Sequence, residues 1–184
     1  MDRIVTERLI LRPFDQRDAE DVFSYAADPR VGPIAGWPPH KSVEESREIL
    51  RTVLSAPGVF AMQLKDSGRV VGSVGYVDRH PAGETPACPD NEIGYGLSPA
   101  LWGRGLMPEA VEAVLFWGFE TRGYGRVWCG HYAGNWRSRG VIVRCGFRYA
   151  FSRSEFVPLM GEWRQCFDYV QTREDWRERI SGAV

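Results

Sequence analysis

The segment from Leu101 to Glu109 holds the residue pattern in this sequence that is best suited to chemistry. It places Gly103-Arg104-Gly105 between a predicted strand and a predicted helix. Glycines let the backbone pass close to a ligand, and the first turn of a helix offers unpaired amides at the positive end of its dipole. Pro108 suits that turn because its missing N–H costs nothing there. The pattern predicts a seat for phosphate groups.

Two glycines of this kind are a weak signal by themselves, because a tight strand-to-helix connection would also explain them. A dinucleotide-binding fingerprint needs a third glycine and a distal acid in a βαβ unit. The segment from Gly94 to Ser98 supplies neither, and the sequence has no Gly-Lys-Ser/Thr phosphate loop. The predicted phosphate seat therefore belongs to neither of the two common nucleotide-binding classes.

The elements that must position this seat alternate along the chain. Apolar periodicity predicts the order β-α-α-β-β-β-α-β-α-β-β, a mixed sheet with helices on its faces. Ser42 and Glu45 predict a capping box at the start of the second helix. Segments rich in proline and glycine, 29–40 and 80–90, are expected to be loops. We expect helices at 15–27, 42–54, 105–122, 135–145 and 173–180, and strands at 8–13, 59–65, 69–78, 92–97, 126–132, 147–156 and 162–172.

Composition limits the classes of function. A chain of 184 residues suits a single domain over 1–184. Its formal net charge of -1 argues against a nucleic-acid binder that works through a basic field. No apolar run is long enough to cross a bilayer and the start does not read as a signal peptide, so a cytoplasmic location is expected. The four cysteines and three histidines are scattered, which predicts free thiols and no metal site.

A longer set of motifs points to a family. The run 91–99 reads Asn-Glu-Ile-Gly-Tyr-Gly-Leu-Ser-Pro and is followed by Trp102-Gly103-Arg104-Gly105. Together these resemble motif A of the GNAT acetyltransferases. The chain is most similar to the RimJ/RimL-like branch, which includes ribosomal-protein-alanine N-acetyltransferases. That branch opens on Thr-x-Arg-Leu-x-Leu-Arg and later carries Asn-x-x-Ser and Gly-Phe, which match 6–12, Asn135, Ser138, Gly146 and Phe147.

The resemblance covers nearly the whole chain and implies a fold and a cosubstrate. The fold is α+β, or mixed α/β: a central, mostly antiparallel sheet with splayed strands, flanked by helices. The cosubstrate is acetyl-CoA, with its pyrophosphate on backbone amides and its pantetheine arm paired like a strand. Gly94 and Gly96 would tolerate a bulge there. The implied cofactor-binding residues are Tyr95, Gly96, Leu97, Leu101, Trp102, Gly103, Arg104, Gly105, Leu106, Met107, Asn135 and Ser138.

Acetyl transfer to an amine also needs acid–base groups. Glu92 enters the splayed strand and is the candidate base; alternatively it is a solvated strand end. A strand amide near Leu97 would face the developing oxyanion. Ser138 is placed to donate to the leaving thiolate; alternatively its hydroxyl bonds a carbonyl one turn back. Many relatives carry a tyrosine as the acid where this chain has Ile142, which departs from the family pattern.

The sequence gives fewer indications of the residues that bind the acceptor. Trp37 and His40 lie in the stiff loop between the first two helices, and with Glu92 and Phe156 they are candidates to line the acceptor pocket. A packed tryptophan that holds the loop down is the alternative. The acceptor would be a small-molecule amine or a peptide amine, and the protein a monomer or homodimer. A non-catalytic acyl-CoA sensor on the same fold is the competing function, and a structural module without CoA is a third.

Overall fold

The computed structural model describes residues 3–83 and 88–182. Six α-helices and eight strands make up the regular structure of this part of the chain. The helices are α1 Ala19–Ala26, α2 Gly32–Ala35, α3 Val43–Thr52, α4 Leu106–Phe116, α5 Trp136–Arg144 and α6 Arg173–Ser181. The strands are β1 Ile4–Val5, β2 Leu9–Arg12, β3 Val59–Leu64, β4 Val70–Tyr76, β5 Asp90–Leu97, β6 Arg126–Tyr132, β7 Arg148–Val157 and β8 Glu162–Thr172.

All eight strands belong to one sheet in the order β1-β2-β3-β4-β5-β6-β8-β7. Every neighbouring pair is antiparallel except β5 and β6, which run parallel. That parallel pairing covers only Asp90 to Glu92, opposite Arg126 to Trp128. Beyond it, 93–97 and 129–132 have no pairing with each other, and we call this opening the splay. The predicted mixed, mostly antiparallel sheet with splayed strands is confirmed.

Helices cover both faces of the sheet. Val74 packs in the core cluster that contains Val111 and Val114 of α4, whereas the next residue back, Ser73, points the other way. A Cβ on Gly96 would stand 3.8 Å from Ser73 Oγ and 3.9 Å from a methyl of Val31, which packs with α1. We call these the α4 face and the α1 face. Because side chains alternate along β5, its residues divide between the two faces.

Two predicted elements differ from the structure. The expected loop at 29–40 contains the single turn α2, which ends at Gly36 with a φ of 96°. The helix expected at 105–122 is α-helical only to Phe116 and continues as a π-helical turn, Trp117–Thr121. The Tyr76 hydroxyl donates to the Val114 carbonyl (3.1 Å) and lies where a side chain on residue 118 would be. A side chain inserted into the helical ladder explains the change of pitch.

Smaller expectations were also corrected. The two-residue strand β1 was not expected. The Ser42 hydroxyl does accept from the Glu45 amide (3.1 Å), but the Glu45 carboxylate bonds the Lys41 amide, so the capping box is half formed. β5 keeps a regular register with β4, so the bulge expected at Gly94 and Gly96 is wrong. The expected loop 80–90 is irregular before β5 starts at residue 90, and its residues 84–87 lie outside the described residues.

Candidate active site

The free edge of β5 presents backbone groups to the splay. Val77 donates its N–H to the Glu92 carbonyl (3.0 Å), so Glu92 turns its backbone acceptor toward β4. In an antiparallel pair this direction alternates from one residue to the next. The following odd-numbered residues therefore point their N–H and C=O groups away from β4 and into the splay; these are Ile93, Tyr95 and Leu97. An extended ligand could pair with this edge as an extra strand would.

The loop that follows β5 is shaped as a cradle of amides. Gly105 is the N-cap of α4 with a φ of 76°, and because it has no side chain it cannot cap the helix. Gly103 has a φ of 77°, and no atom of the described residues lies within 4 Å of where its Cβ would be. Within the described chain, the amides of 103–107 have no hydrogen-bond acceptor. Open space beside unpaired amides at a helix start fits a phosphate group.

Trp102 connects this cradle to the end of β5 that borders the splay. Its indole N–H donates to the Leu97 carbonyl at 2.9 Å, and the Arg137 guanidinium lies 4.6 Å from the centre of its ring. The side chains of Leu106 and Met107 are buried in the core, so only their backbone faces the ligand side. The structure thus brings together the residues that the sequence assigned to the pyrophosphate, 101–107, at one end of the splay.

A pair of hydroxyl groups crosses the splay on the α4 face. Tyr95 Oη lies 2.9 Å from Ser138 Oγ and donates to the Ser138 carbonyl at 3.2 Å. Burial raises the pKa of Tyr95 well above its ordinary value, so the phenol keeps its proton at neutral pH. Ile142, one turn further along α5, is fully buried. Ser138 therefore faces β5 with a second proton donor beside it, a contact that the sequence did not suggest.

Asn135 fixes the start of α5. Its side-chain oxygen accepts from the Ser138 amide (3.2 Å), which is an N-cap, and its side-chain N–H donates to the Ile34 carbonyl (3.4 Å). Capping by Asn135 orients the first turn of α5 and with it the Ser138 hydroxyl. The further role of Asn135 toward the pantetheine stays a prediction.

Glu92 lies on the α1 face at the last paired position of β5, where the splay begins. It is only 6% exposed, so it is not a solvated strand end. Burial raises the pKa of Glu92 to about 7, Arg79 opposes the increase and Asp168 adds to it. Arg79 Nε is 3.3 Å from Glu92 Oε2, yet its N–H is not aimed at the oxygen, which has no hydrogen bond within the described chain. A buried carboxylate with this pKa is equipped to accept a proton near neutrality.

Glu92 is one of three carboxylates that converge on the α1 face. A Cβ on Gly130 would stand 3.2 Å from Asp168 Oδ1 and 3.4 Å from Glu92 Oε1, so the glycine leaves room for both groups. The third carboxylate, Glu155, accepts from the Tyr132 hydroxyl at 2.6 Å. We call Glu92, Glu155 and Asp168 the carboxylate cluster.

Two arginines link the members of the carboxylate cluster. Arg79 Nη2 donates to Glu155 at 3.0 Å, and Arg153 Nε donates to Asp168 at 2.9 Å while also contacting Glu155. Two guanidinium groups thus face three carboxylates, so one negative charge is unbalanced when Glu92 is ionised. Of these three carboxylates, the sequence predicted a catalytic role only for Glu92. The sequence signal that could have found Asp168 is a charged residue at a position of β8 where the alternation of the strand predicts a buried side chain.

The residues predicted to line the acceptor pocket do not all lie beside Glu92. Trp37 and His40 lie with their ring centres 5.5 Å apart, and His40 Nδ1 bonds the Ser46 hydroxyl of α3 at 2.8 Å. Within the described residues, no hydrogen bond or ring contact joins either to Glu92. Trp37 packs over Gly32, where a Cβ would stand 2.5 Å from the indole. Their contacts match the alternative reading, in which a packed tryptophan holds the loop down.

The same loop reaches the carboxylate cluster through a different residue. A Cβ on Gly36 would stand 2.9 Å from the Tyr132 ring, whose hydroxyl bonds Glu155. Phe156, by contrast, contacts Trp163 with ring centres 5.8 Å apart and is 48% exposed. Because side chains alternate along β7, Phe156 lies on the opposite face from Glu155. The expectation that Phe156 lines the acceptor pocket is corrected: its neighbour Glu155 faces Glu92.

A family model described as acetyltransferase (GNAT) domain matches residues 8–148. The chain belongs to the GNAT acetyltransferase family. It is therefore an acyltransferase of the N-acetyltransferase class, as the motifs predicted, and its cosubstrate class is that of the family, acetyl-CoA. Within the described residues of this GNAT chain, no group of three or more His, Cys, Asp or Glu side chains could hold a metal ion, and no helix is long and apolar enough to cross a membrane.

Relatives of this GNAT chain include the predicted branch. The uncharacterized N-acetyltransferase p20 of Bacillus licheniformis is 29% identical over 134 residues, or 69% of this chain and 71% of the relative. The ribosomal protein uS5-alanine N-acetyltransferase of Escherichia coli (strain K12) is 24% identical over 184 residues, or 95% and 92%. The crystal structure of a GNAT-family acetyltransferase from Bacillus anthracis matches the fold with a TM-score of 0.81 at 24% identity, covering 94% and 99% of the two chains.

Proposed function

We propose that this chain transfers the acetyl group of acetyl-CoA directly to a primary amine, with both substrates bound at once on opposite faces of the splay. The observation that carries the proposal is the position of Glu92 at the last paired step between β5 and β6, where the splay begins. On the α4 face, free amides and an open strand edge suit the cosubstrate. On the α1 face, a buried carboxylate suits an amine.

The residues fit coenzyme A because the groups needed to hold it are free. The amides of 103–107 would hold the pyrophosphate, and the backbone edge of β5 at Tyr95 would pair with the amides of the pantetheine arm. When bound, the cosubstrate supplies an acetyl thioester. These contacts need only backbone, so the departure from the family pattern at Ile142 does not affect them.

The acid–base roles follow from placement. Glu92 takes the proton from the incoming ammonium, because a protonated amine has no lone pair for attack. The Leu97 N–H, which faces the splay, donates to the carbonyl oxygen as that oxygen gains charge. Ser138 donates to the departing sulfur, and Tyr95 keeps the Ser138 hydroxyl directed across the splay through their 2.9 Å contact.

Electrostatics supports a cationic acceptor. The carboxylate cluster exceeds its two arginines by one negative charge when Glu92 is ionised, and an ammonium group restores the balance. The Escherichia coli relative is named for an alanine of a ribosomal protein, which makes the N-terminal amine of a protein one acceptor to test. A small polyamine-like molecule and an aminoglycoside are the others.

The test is an amine screen that follows CoA thiol release at saturating acetyl-CoA. The panel holds an Ala-initiated peptide, a polyamine and an aminoglycoside, and each has a matched control with its amines already acetylated. We expect release with at least one free amine and none with its blocked control. Tight CoA binding by calorimetry with no release from any amine would overturn the transferase reading and favour an acyl-CoA sensor.

A further inference from the structure

The Thr6-x-Arg8 motif at the start of the chain has a defined set of contacts with the phosphate cradle. Arg8 Nε donates to Glu109 Oε2 at 2.7 Å, and the Arg8 backbone N–H donates to Glu109 Oε1 at 2.8 Å. The Thr6 hydroxyl donates to the same oxygen at 2.6 Å. Arg8 Nη1 donates to the Arg104 carbonyl at 2.8 Å. One arginine thus links strand β2, helix α4 and the loop between the two glycines.

The bond to Arg104 fixes the direction of an amide. In a trans peptide the carbonyl and the following N–H point in opposite directions, and the described chain contains no cis bond. Because Arg8 holds the Arg104 carbonyl from behind, the Gly105 N–H points to the other side of the loop. Gly105 would otherwise let this peptide rotate at little cost, since glycine has the widest backbone freedom.

Glu109 serves to hold Arg8 in place. Its side chain is 15% exposed against 44% for Arg8, so the carboxylate is the better ordered partner. Burial opposes ionisation of Glu109, but the hydrogen bonds from Thr6 and Arg8 outweigh it and lower its pKa. Glu109 lies in the first turn of α4, where a bare carboxylate would repel a bound phosphate. The pairing with Arg8 offsets that charge.

We propose that Arg8 is a positioning residue for coenzyme A: it holds the Arg104–Gly105 peptide so that its amide N–H faces the pyrophosphate, and Glu109 with Thr6 holds Arg8. The inference rests on the cosubstrate site proposed above. Arg8 acts through the loop and makes no contact with the reacting atoms. Its loss should therefore affect acetyl-CoA binding and leave the acceptor side unchanged.

The experiment compares Arg8→Met with Arg17→Met, a matched control whose arginine is exposed and, among the described residues, hydrogen-bonds only Asp15. Calorimetry measures the Kd for CoA, and steady-state kinetics measure both KM values and kcat. For Arg8→Met we expect CoA binding weaker by about ten- to hundredfold, as for a lost charged hydrogen bond. The acetyl-CoA KM should rise, and kcat at saturation and the amine KM should stay near wild type. Arg17→Met should bind as the wild type.

Arg8→Lys keeps the inference testable even where Arg8→Met does not fold. A lysine keeps the charge but can reach Glu109 or the Arg104 carbonyl, not both, so we expect an intermediate loss of CoA affinity at an unchanged melting temperature. Wild-type CoA affinity in either folded variant would overturn the role of Arg8. Equal changes in both KM values would also overturn it, since they indicate general loosening. A wild-type protein that binds no CoA would instead refute the proposed function.

Discussion

The two faces of the splay differ in the kinds of chemical group that they present. On the α4 face the proposed cosubstrate side consists of backbone groups, held by glycine conformations at Gly103 and Gly105 and by the unpaired edge of β5. On the α1 face the proposed acceptor side consists of ionisable side chains whose charges partly balance one another. Backbone amides do not titrate and survive most substitutions. Carboxylates respond to pH and to every neighbouring charge. Binding and proton transfer should therefore be separable by mutation.

Glu92→Gln is expected to give the largest difference between the loss of turnover and the loss of CoA affinity. The amide keeps the shape of the side chain and cannot take a proton, so turnover should fall by roughly a hundred- to ten-thousandfold. CoA affinity should stay at the wild-type value, because the cradle at 101–107 is made of backbone. Stopped assays of acetylated amine and calorimetry with CoA measure the two effects. A variant with the wild-type rate would remove Glu92 from the mechanism and leave an ordered water as the base.

Gly103→Val tests the backbone side. A side chain would fill the open space beside the free amides, and CoA affinity should fall about a hundredfold or more because the phosphate seat is blocked. Gly161→Val is a matched control: that glycine also has a positive φ, 67°, and open space around its Cβ, and it lies in the β7–β8 turn. Both variants carry similar backbone strain. Equal CoA affinity in the two folded variants would contradict the cradle.

Ser138→Ala should have a smaller, purely kinetic effect. Loss of one donor to the leaving sulfur should lower kcat about tenfold and change the acetyl-CoA KM less. Tyr95→Phe removes the partner hydroxyl and should lower kcat by a similar or smaller factor. Because the two hydroxyls share a hydrogen bond, the double variant should lose less than the product of the single losses. Strictly multiplicative losses would show that the hydroxyls act independently.

Arg79→Met should change the pH profile more than the maximal rate. The arginine lowers the pKa of Glu92 from the value that burial alone would give, so its removal should raise that pKa. A smaller fraction of the base is then ionised at pH 7, and kcat/KM should fall a few-fold there and recover at higher pH. Arg177→Met, which breaks an ion pair to Glu120 elsewhere, is the control. A profile identical to wild type would separate Arg79 from the base.

The pKa of Glu92 also has a consequence for stability. Its folded value of about 7 lies above the ordinary 4.5, so the folded state holds a proton that the unfolded state has released between those values. Stability should therefore fall as pH rises from about 4.5 to 7, and this part of the dependence should vanish in Glu92→Gln. Denaturant midpoints at several pH values measure it. Parallel pH dependence of stability in the wild type and the variant would show that folding does not shift the pKa of Glu92.

The same contrast explains what the sequence could predict. The cradle is formed by residues that are close together in sequence, so the spacing of Gly103 and Gly105 was enough to predict a loop with free amides. The strands at 126–132 and 162–172 were also predicted with their exact bounds. The carboxylate cluster joins β5, β7 and β8, and its assembly depends on sheet register. A shift of one residue decides whether Glu155 or Phe156 faces Glu92. The π-helical turn after α4 depends on Tyr76, which is distant in sequence.

The splay has a consequence for solubility. Unpaired strand edges normally lie at the rim of a sheet, where another chain can add to them and start aggregation. Here the open edge of β5 lies in the middle of the sheet, between β4 and β6, with α5 covering it on one side through Tyr95 and Ser138. A flexible, extended molecule of small cross-section can reach such an edge, but a folded neighbour cannot. The protein thus keeps a strand's capacity for pairing while shielding it from other proteins.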